Sequence, residues 1–258
     1  MRDLTAAPGV LAGLIVVAAI TPAAHAQDIP ILVLQNWNIY NNAGWAFLNR
    51  GQYDKAEERF RMAIEEIRPY QKTDQRLLAR SYADLARVLY HRGRYADAEP
   101  LAEWALRVRE SHPRVSPDAV FQSLYTLALI HIAQDHFNQA ESLLRRALEL
   151  QEKSIGPSHV QTAATVDELA GVLAEQRKFT EAGRLYQRAI SIYQRFRPEE
   201  NLDLAGCAER YAAVLDQVGR TTDAEKLRKQ AKAIRDAVEA RTTLSRDAQP
   251  RPEFKGFK

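Results

Sequence analysis

Residues 82–106 read YADLARVLYHRGRYADAEPLAEWAL, and this stretch decides the fold. Its first part places apolar residues three and four positions apart, which is the spacing of one face of an α-helix: Tyr82, Leu85, Ala86 and Leu89. Gly93 can adopt the left-handed backbone conformation that commonly ends a helix. A second face of the same kind follows, at Ala98, Leu101, Ala102, Ala105 and Leu106. The stretch therefore predicts two helices joined by a tight turn.

This helix pair recurs along the chain with a period of 42 residues. Three columns of small residues keep the period through five copies: Ala56, Ala98, Ala140, Ala182 and Ala224; Ala63, Ala105, Ala147, Ala189 and Ala231; and Gly44, Ala86, Ala128, Ala170 and Ala212. The turn position keeps it as well: Gly51, Gly93, Asp135, Arg177 and Gly219. A pair this thin buries its apolar face only by stacking on the next pair. The sequence thus predicts an all-α solenoid of about five helix pairs, over residues 36–77, 78–119, 120–161, 162–203 and 204–240.

The first copy carries aromatic and small residues at Tyr40, Ala43, Gly44, Phe47, Gly51, Ala56, Phe60 and Ala63. This pattern resembles the tetratricopeptide repeat. The usual period of that family is about 34 residues, and the longer period here resembles its kinesin-light-chain subtype, as does the linker IGPSHVQTA from Ile155. The resemblance covers residues 36–240. It implies a right-handed α-solenoid whose first helices line a concave surface that binds extended peptides or partner helices.

Both ends of the array are predicted to be covered. Residues 27–35 are predicted as an N-terminal cap segment, because Ile29–Leu34 is a short apolar stretch. In the last copy, Arg228 and Lys232 give the final helix the polar outer face that a terminal repeat needs. Residues 241–258 lack apolar periodicity and are predicted as a disordered basic tail. Its role is left open between a solubilising terminus and a contact with anionic lipid or peptidoglycan.

Residues 1–26 are predicted to be a signal peptide. No charged residue occurs from Leu4 to Gln27, and an apolar core runs from Val10 to Ile20. Small residues then flank a variable one in Ala24-His25-Ala26, which places cleavage after Ala26. The expected location is the bacterial periplasm or the outside of the cell, with no stable membrane span after cleavage. The alternative is an inner-membrane anchor formed by an uncleaved helix.

Carrying the helix positions of the family over to this chain predicts a partner-binding surface on the concave side. Its residues are Asn41, Trp45, Arg80, Arg87, Tyr90, His91, Gln122, Tyr125, Asp167, Glu175, Glu209 and Asp216. The rings of Trp45, Tyr90 and Tyr125 fall in the first three copies, and rigid rings make good binding anchors. Arg80 and Arg87 lie at one end and four acids at the other, which would orient an extended ligand. The competing interpretation is an ordinary solvated face whose rings pack between repeats.

The composition argues against other classes of function. The net charge of +3 lies in residues 241–258, so the body is neutral and offers no electrostatic footprint for nucleic acid. The single cysteine, Cys207, excludes a disulfide framework within the chain and is expected to be buried. His131 is predicted to be a core residue, because it falls on the inward face of its helix and matches no metal-ligand motif. The sequence also lacks phosphate-loop, nucleophile-elbow and Ser/His/Asp motifs. We therefore expect no cofactor, no metal and no enzymatic activity.

The sequence predicts a non-enzymatic protein–protein interaction scaffold of the bacterial envelope. It would hold an extended peptide or a helix of a protein partner in the concave groove. Two alternatives stay open. One is a self-assembling structural subunit whose groove is filled by a second copy. The other is a small-molecule or glycan receptor that uses the rings of Trp45, Tyr90 and Tyr125.

Overall fold

The computed structural model describes residues 28–196 and 201–247. Within those ranges the chain forms ten α-helices, a single 3₁₀ turn at Arg68–Tyr70 and no strand. The helices are α1 (Ile31–Leu48), α2 (Tyr53–Ile67), α3 (Gln75–His91), α4 (Tyr95–Ser111), α5 (Pro117–Ala133), α6 (Phe137–Ser154), α7 (Val160–Glu175), α8 (Phe179–Tyr193), α9 (Leu202–Gln217) and α10 (Thr221–Asp247). The predicted all-α class is confirmed. The predicted signal peptide lies outside the described residues.

The helices pack as five consecutive pairs, and each pair packs on the next. In every pair the first helix is the odd-numbered one. α3 also contacts α5 directly, and α7 contacts α9. The first helices therefore lie on the inner side of the array. The three predicted columns of alanines are fully buried where the helices of a pair and of neighbouring pairs approach, as at Ala56, Ala98 and Ala140.

The five turns within the pairs share one backbone geometry. The turn residue has a positive φ in each: Gly51 at 69°, Gly93 at 71°, Asp135 at 61°, Arg177 at 60° and Gly219 at 78°. The amide of the following residue donates to a carbonyl five positions earlier, which satisfies an end of the first helix: Gln52 to Phe47, Arg94 to Leu89, His136 to His131, Lys178 to Leu173 and Arg220 to Leu215. The same turn therefore recurs once every 42 residues, which is the period seen in the sequence.

Gly44 occupies a column that holds alanine in the other four copies. A Cβ atom at Gly44 would lie 2.7 Å from Cε1 of Phe60, a ring with no exposed surface. The ring of Trp45 meets Phe60 edge-on, with centroids 6.3 Å apart. Glycine at this position thus makes room for a large ring between α1 and α2.

Substituting Gly44→Ala is expected to lower the free energy of unfolding by about 1 kcal/mol. Overpacking against Phe60 costs roughly 1–3 kcal/mol, and the better helix propensity of alanine returns ~1 kcal/mol. Denaturant unfolding measures the difference. The matched control is Gly44→Ala with Phe60→Leu, because the third copy already pairs Ala128 with Leu144 at these positions. An increase in stability for the single variant would show that the ring moves aside without cost.

A column of glutamates links each of the first three units to the turn of the next. The carboxylate of Glu57 accepts hydrogen bonds from Arg61, Arg92 and Arg94 and is 7% exposed. Gln134 donates to Glu99 at 2.9 Å, and Lys178 donates to Glu141 at 2.7 Å. Burial alone would raise the pKa of Glu57, but the hydrogen bonds from Arg61 and Arg92 outweigh it and leave that pKa lowered. These contacts hold the stacking of the units in register.

Both predicted ends of the array need correction. α1 begins at Ile31, so residues 31–35 of the predicted cap form the first turns of this helix. Ile29 and Val33 of that segment do pack against the core. At the other end α10 continues to Asp247, so residues 241–247 of the predicted disordered tail are helical. Residues 248–258, which include Pro250 and Pro252, lie outside the described part. None of the described helices is long and apolar enough to cross a membrane.

Candidate partner-binding groove

Several predicted groove residues in the first three units bind one another. The indole Nε1 of Trp45 donates to Oδ2 of Asp84 at 3.1 Å. The Arg87 guanidinium lies over the Trp45 ring, 5.1 Å from its centroid, and donates to Oε1 of Gln122 at 2.9 Å. The structure thus brings Trp45, Arg87 and Gln122 together, but as a network that joins α1, α3 and α5.

Arg80 lies at the outer end of this network. Its guanidinium is exposed and sits 5.4 Å from the ring centroid of the buried Trp37. Trp37 in turn donates to Oγ of Ser81 at 2.8 Å. Neither Arg80 nor Arg87 forms an ion pair within the described residues. Arg80 therefore keeps a solvent-facing charge, whereas Arg87 is half-buried.

The three predicted aromatic anchors contact separate neighbours. The Tyr90 ring packs against Tyr95 at 5.8 Å, and the adjacent His91 stacks on Tyr53 at 5.2 Å. The Tyr125 ring stacks on Phe121 at 5.7 Å. Burial raises the pKa of Tyr90 and of Tyr125, and the charge of Glu168 adds to this effect. Both hydroxyls are therefore within electrostatic reach of Glu168. Among the described residues, no ring contact joins Trp45, Tyr90 and Tyr125 to one another.

Two predicted groove residues lie in the interior. Asn41 is 1% exposed and donates to the Trp37 carbonyl at 2.8 Å, and Asp167 is 2% exposed. Neither side chain is available to a partner, which corrects the prediction for both. The reason is angular: a shift of one position turns a helical residue by about 100°. The residues after them, Asn42 and Glu168, point further out.

The predicted acidic end is largely neutralised. Asp167 pairs with Arg210 across α7 and α9, and Asp216 pairs with Arg228 of α10. Glu209 pairs with Arg235 of α10 at 2.6 Å. Of the four predicted acids, Glu175 is the one without an ion pair among the described residues. The predicted charge polarity is therefore much weaker than the sequence suggested.

A cavity of about 520 Å³ opens on the inner side between α5, α7 and α9. Its walls include three aromatic rings, its floor has two small residues, and charged groups stand at its rim. These lining residues are Phe137, Phe179, Tyr186, Gly171, Ala213, Glu168, Glu175, Arg177 and Arg210. The first helices α5, α7 and α9 contribute residues to it, together with the first residue of α6 and with Phe179 and Tyr186 of α8. This cavity brings rings, small residues and charged groups together on the concave side of the described residues.

The charged groups of the cavity are perturbed by burial. Burial raises the pKa of the Glu168 carboxyl, while the charge of Arg210 opposes that change. For Arg210, burial alone would lower the pKa, but the charge of Asp167 and its hydrogen bond outweigh it. Arg210 Nε donates to Oδ1 of Asp167 at 3.2 Å. Its charge is thus matched by a carboxylate beneath the cavity, whereas Glu168 faces the cavity itself.

Glu168 and Arg210 were missed by the sequence prediction, which chose the preceding residues Asp167 and Glu209. A signal for them exists in the sequence. They belong to one 42-residue column that is polar in all five copies: Asn42, Asp84, Thr126, Glu168 and Arg210.

Two groups considered for chemistry lie in the core. Cys207 is fully buried, as predicted, and burial raises the pKa of its thiol. His131 is 6% exposed, also as predicted, and burial lowers its pKa. In residues 28–196 and 201–247, no three His, Cys, Asp or Glu side chains lie close enough to hold a metal ion.

Comparisons with known proteins agree with the repeat architecture. The tetratricopeptide repeat model matches residues 37–111, 120–193 and 162–237. The fold is similar to that of BtubC (BKLC) from P. vanneervenii, at 22% identity and a TM-score of 0.68, covering 87% of this chain and 88% of that one. It is also similar to the TPR-like repeats of a putative kinesin light chain from Podospora anserina, at 19% identity and a TM-score of 0.65, covering 85% and 99%.

A third similar structure is YrrB, described as a TPR protein with an unusual peptide-binding site, at 16% identity and a TM-score of 0.53, covering 84% and 100%. A comparison with curated protein sequences finds no match. The repeat model covers most of the chain, and the 42-residue units have the form found in kinesin light chains. The chain belongs to the tetratricopeptide repeat family.

Proposed function

We propose that this protein is a non-enzymatic interaction scaffold of the bacterial envelope that binds an extended segment of a partner protein along its concave side. The cavity between α5, α7 and α9 carries this proposal. It combines rings that can pack on a side chain with carboxylates that can bind a charge, on the side that solenoid proteins use for binding.

The charges at the cavity favour a basic side chain of the partner. Arg210 is paired with Asp167, and the two carboxylates of Glu168 and Glu175 then outnumber the guanidinium of Arg177. Glu168 and Glu175 are two helical turns apart on α7, so they project from the same face, with Gly171 between them. An added Cβ at Gly171 would meet Tyr186 Oη at 3.6 Å and, apart from its chain neighbours and the backbone of α7, no other atom within 4 Å, so the floor of the cavity is open. The aliphatic stem of a lysine or arginine fits over Gly171 against the rings, and its cationic head meets the two carboxylates.

The rest of the groove suits the remainder of such a segment. Arg80 presents an exposed guanidinium at the far end, which favours an acidic residue of the ligand there. The likeness to YrrB, a TPR protein with a peptide-binding site, supports a peptide ligand. The alternative of a small-molecule or glycan receptor on Trp45, Tyr90 and Tyr125 is weakened, because these rings pack on separate neighbours.

The location in the envelope rests on the predicted signal peptide. The expected result is that protein purified from the envelope of the producing cell begins at Gln27. Intact-mass measurement reads the N-terminus directly. A chain that retains residues 1–26 would overturn this part of the proposal and favour the anchored alternative.

Binding is tested with a library of short fluorescent peptides that carry lysine, arginine, norleucine or glutamate at a central position. We expect the full chain to prefer lysine and arginine. Substituting Glu168→Gln together with Glu175→Gln should weaken binding of the preferred peptides by at least about tenfold, since two charge-assisted contacts are lost. Fluorescence polarisation measures the affinities.

The matched control is Glu239→Gln, which removes an exposed carboxylate of α10 outside the groove. It should leave the affinities unchanged. Substituting Gly171→Met fills the cavity without changing charge and should also reduce binding. The proposal is wrong if glutamate peptides bind as well as lysine peptides, or if the double substitution leaves the affinities intact.

A further inference from the structure

The outer face of α1 carries no charge. The helix reads ILVLQNWNIYNNAGWAFL, and none of its 18 residues is Asp, Glu, Lys or Arg. Three large aliphatic side chains are nevertheless solvent-exposed: Ile31 at 75%, Leu32 at 67% and Ile39 at 62%. Leu32 and Ile39 are two helical turns apart and so lie on the same side. The described part of the array therefore begins with an exposed apolar face.

The opposite end of the array is built differently. α10 exposes charged side chains along its outer face, among them Lys229, Lys232, Arg235 and Asp236. Terminal repeats of a solenoid need a polar outer face, because no further unit covers them. α10 meets this need and α1 does not. The contrast indicates that another surface covers α1 in solution.

We propose that the outer face of α1, defined by Ile31, Leu32, Gln35, Asn38, Ile39 and Asn42, pairs with the same face of a second copy of this chain about a two-fold axis. A two-fold axis places a surface against itself, so charges near the axis would meet like charges. This face has none. The amide side chains of Gln35, Asn38 and Asn42 each contain a donor and an acceptor, which suits pairing with their own images.

The charged outer face of α10 disfavours a head-to-tail arrangement of copies. Stacking head to tail would place the α1 face of one copy on the charged face of α10 of the next. Lys229 and the ion pairs Lys232–Asp236 and Arg235–Glu209 would then lose water against a face that offers no charged group in return. The pairing therefore closes as a dimer and does not continue as a filament. The concave grooves of both copies stay open, and the dimer presents two of them.

A second occupant is distinguishable by experiment. Residues 1–27 precede α1 and include the apolar run Val10–Ile20, which could cover the face within one chain if it is retained. This proposal therefore uses protein purified as the cell produces it, with its N-terminus read by intact mass. It does not depend on which peptide the groove binds.

The test is the molar mass in solution, by sedimentation equilibrium. The protein is expected at twice the mass of its chain. Leu32→Lys together with Ile39→Lys should shift it to the mass of one chain, with an unchanged circular dichroism spectrum. The matched control is Ile155→Lys, an exposed isoleucine far from α1 that should remain dimeric.

A charge-swap experiment tests the two-fold pairing itself. A second variant carries Leu32→Glu and Ile39→Glu, and mixing it with the lysine variant should restore the double mass, because unlike charges then meet. The milder Ile39→Asn serves if the lysine variant loses helicity. The proposal is overturned by a monomeric protein at every concentration, by a lysine variant that remains dimeric, or by a mixture that stays monomeric.

Discussion

Substituting Arg210→Gln is expected to lower the free energy of unfolding by about 2–3 kcal/mol near neutral pH. Its carboxylate partner, Asp167, is 2% exposed and would lose the cation that balances it. Breaking a fully buried ion pair costs ~3–5 kcal/mol. The cost here is smaller because 47% of the Arg210 side chain is exposed to solvent.

The pH dependence separates this loss from a loss of packing. Burial raises the pKa of Asp167 even with Arg210 present, and removing Arg210 would raise it further. Folded variant protein would then retain a proton that unfolded protein releases. The difference in unfolding free energy from wild type should therefore be small near about pH 4, where unfolded aspartate titrates, and grow as the pH rises above that. Urea unfolding at several pH values measures it.

The matched control for this prediction is the double variant Arg210→Gln with Asp167→Asn. Removing both charges should recover most of the stability, because a neutral pair leaves no buried charge uncompensated. If the single variant is equally destabilised at all pH values, then the contribution of Arg210 is packing and not charge. Asp167→Asn alone should be close to neutral or stabilising.

The fold could be predicted from the sequence because the 42-residue period appears at positions that tolerate few other side chains. The alanines of the three columns are at helix contacts where a larger side chain does not fit, and they repeat without a slip. The turn residues repeat equally well, even where Asp135 and Arg177 take a positive φ without being glycine. The predicted ends of the array were wrong, because no neighbouring unit constrains the terminal helices. α1 starts earlier and α10 ends later than predicted.

The groove could be predicted only in outline. The family pattern identifies the inner helices, but it does not resolve a rotation of one residue, and this separates the buried Asp167 from Glu168 in the cavity. The arginines that pair with the acidic residues also could not be predicted from the sequence. Arg210 lies 43 residues from Asp167, and Arg235 lies 26 residues from Glu209. Such pairs form only once the units are stacked.

The carboxyl of Asp84 is expected to make the stability of the protein fall as the pH rises from about 4 to about 6. Asp84 is 5% exposed, between α1 and α3, and burial raises its pKa to about 6. The nearby charges of Arg87, Arg80 and Arg109 and the hydrogen bond from Trp45 oppose this effect but do not cancel it. Folded protein therefore holds a proton through this range that unfolded protein releases.

Substituting Asp84→Asn isolates this group, since asparagine does not titrate and its oxygen can still accept from Trp45. The pKa difference of about two units corresponds to about 3 kcal/mol. Relative to wild type, the variant should therefore gain about 3 kcal/mol of unfolding free energy between about pH 4 and about pH 6, and the gain should then level off. Asp28→Asn changes the same formal charge at an exposed position and should show no such gain. Urea unfolding across this range decides: parallel curves for wild type and Asp84→Asn would mean that Asp84 is already ionised in the folded protein near pH 4, with its arginine neighbours outweighing its burial.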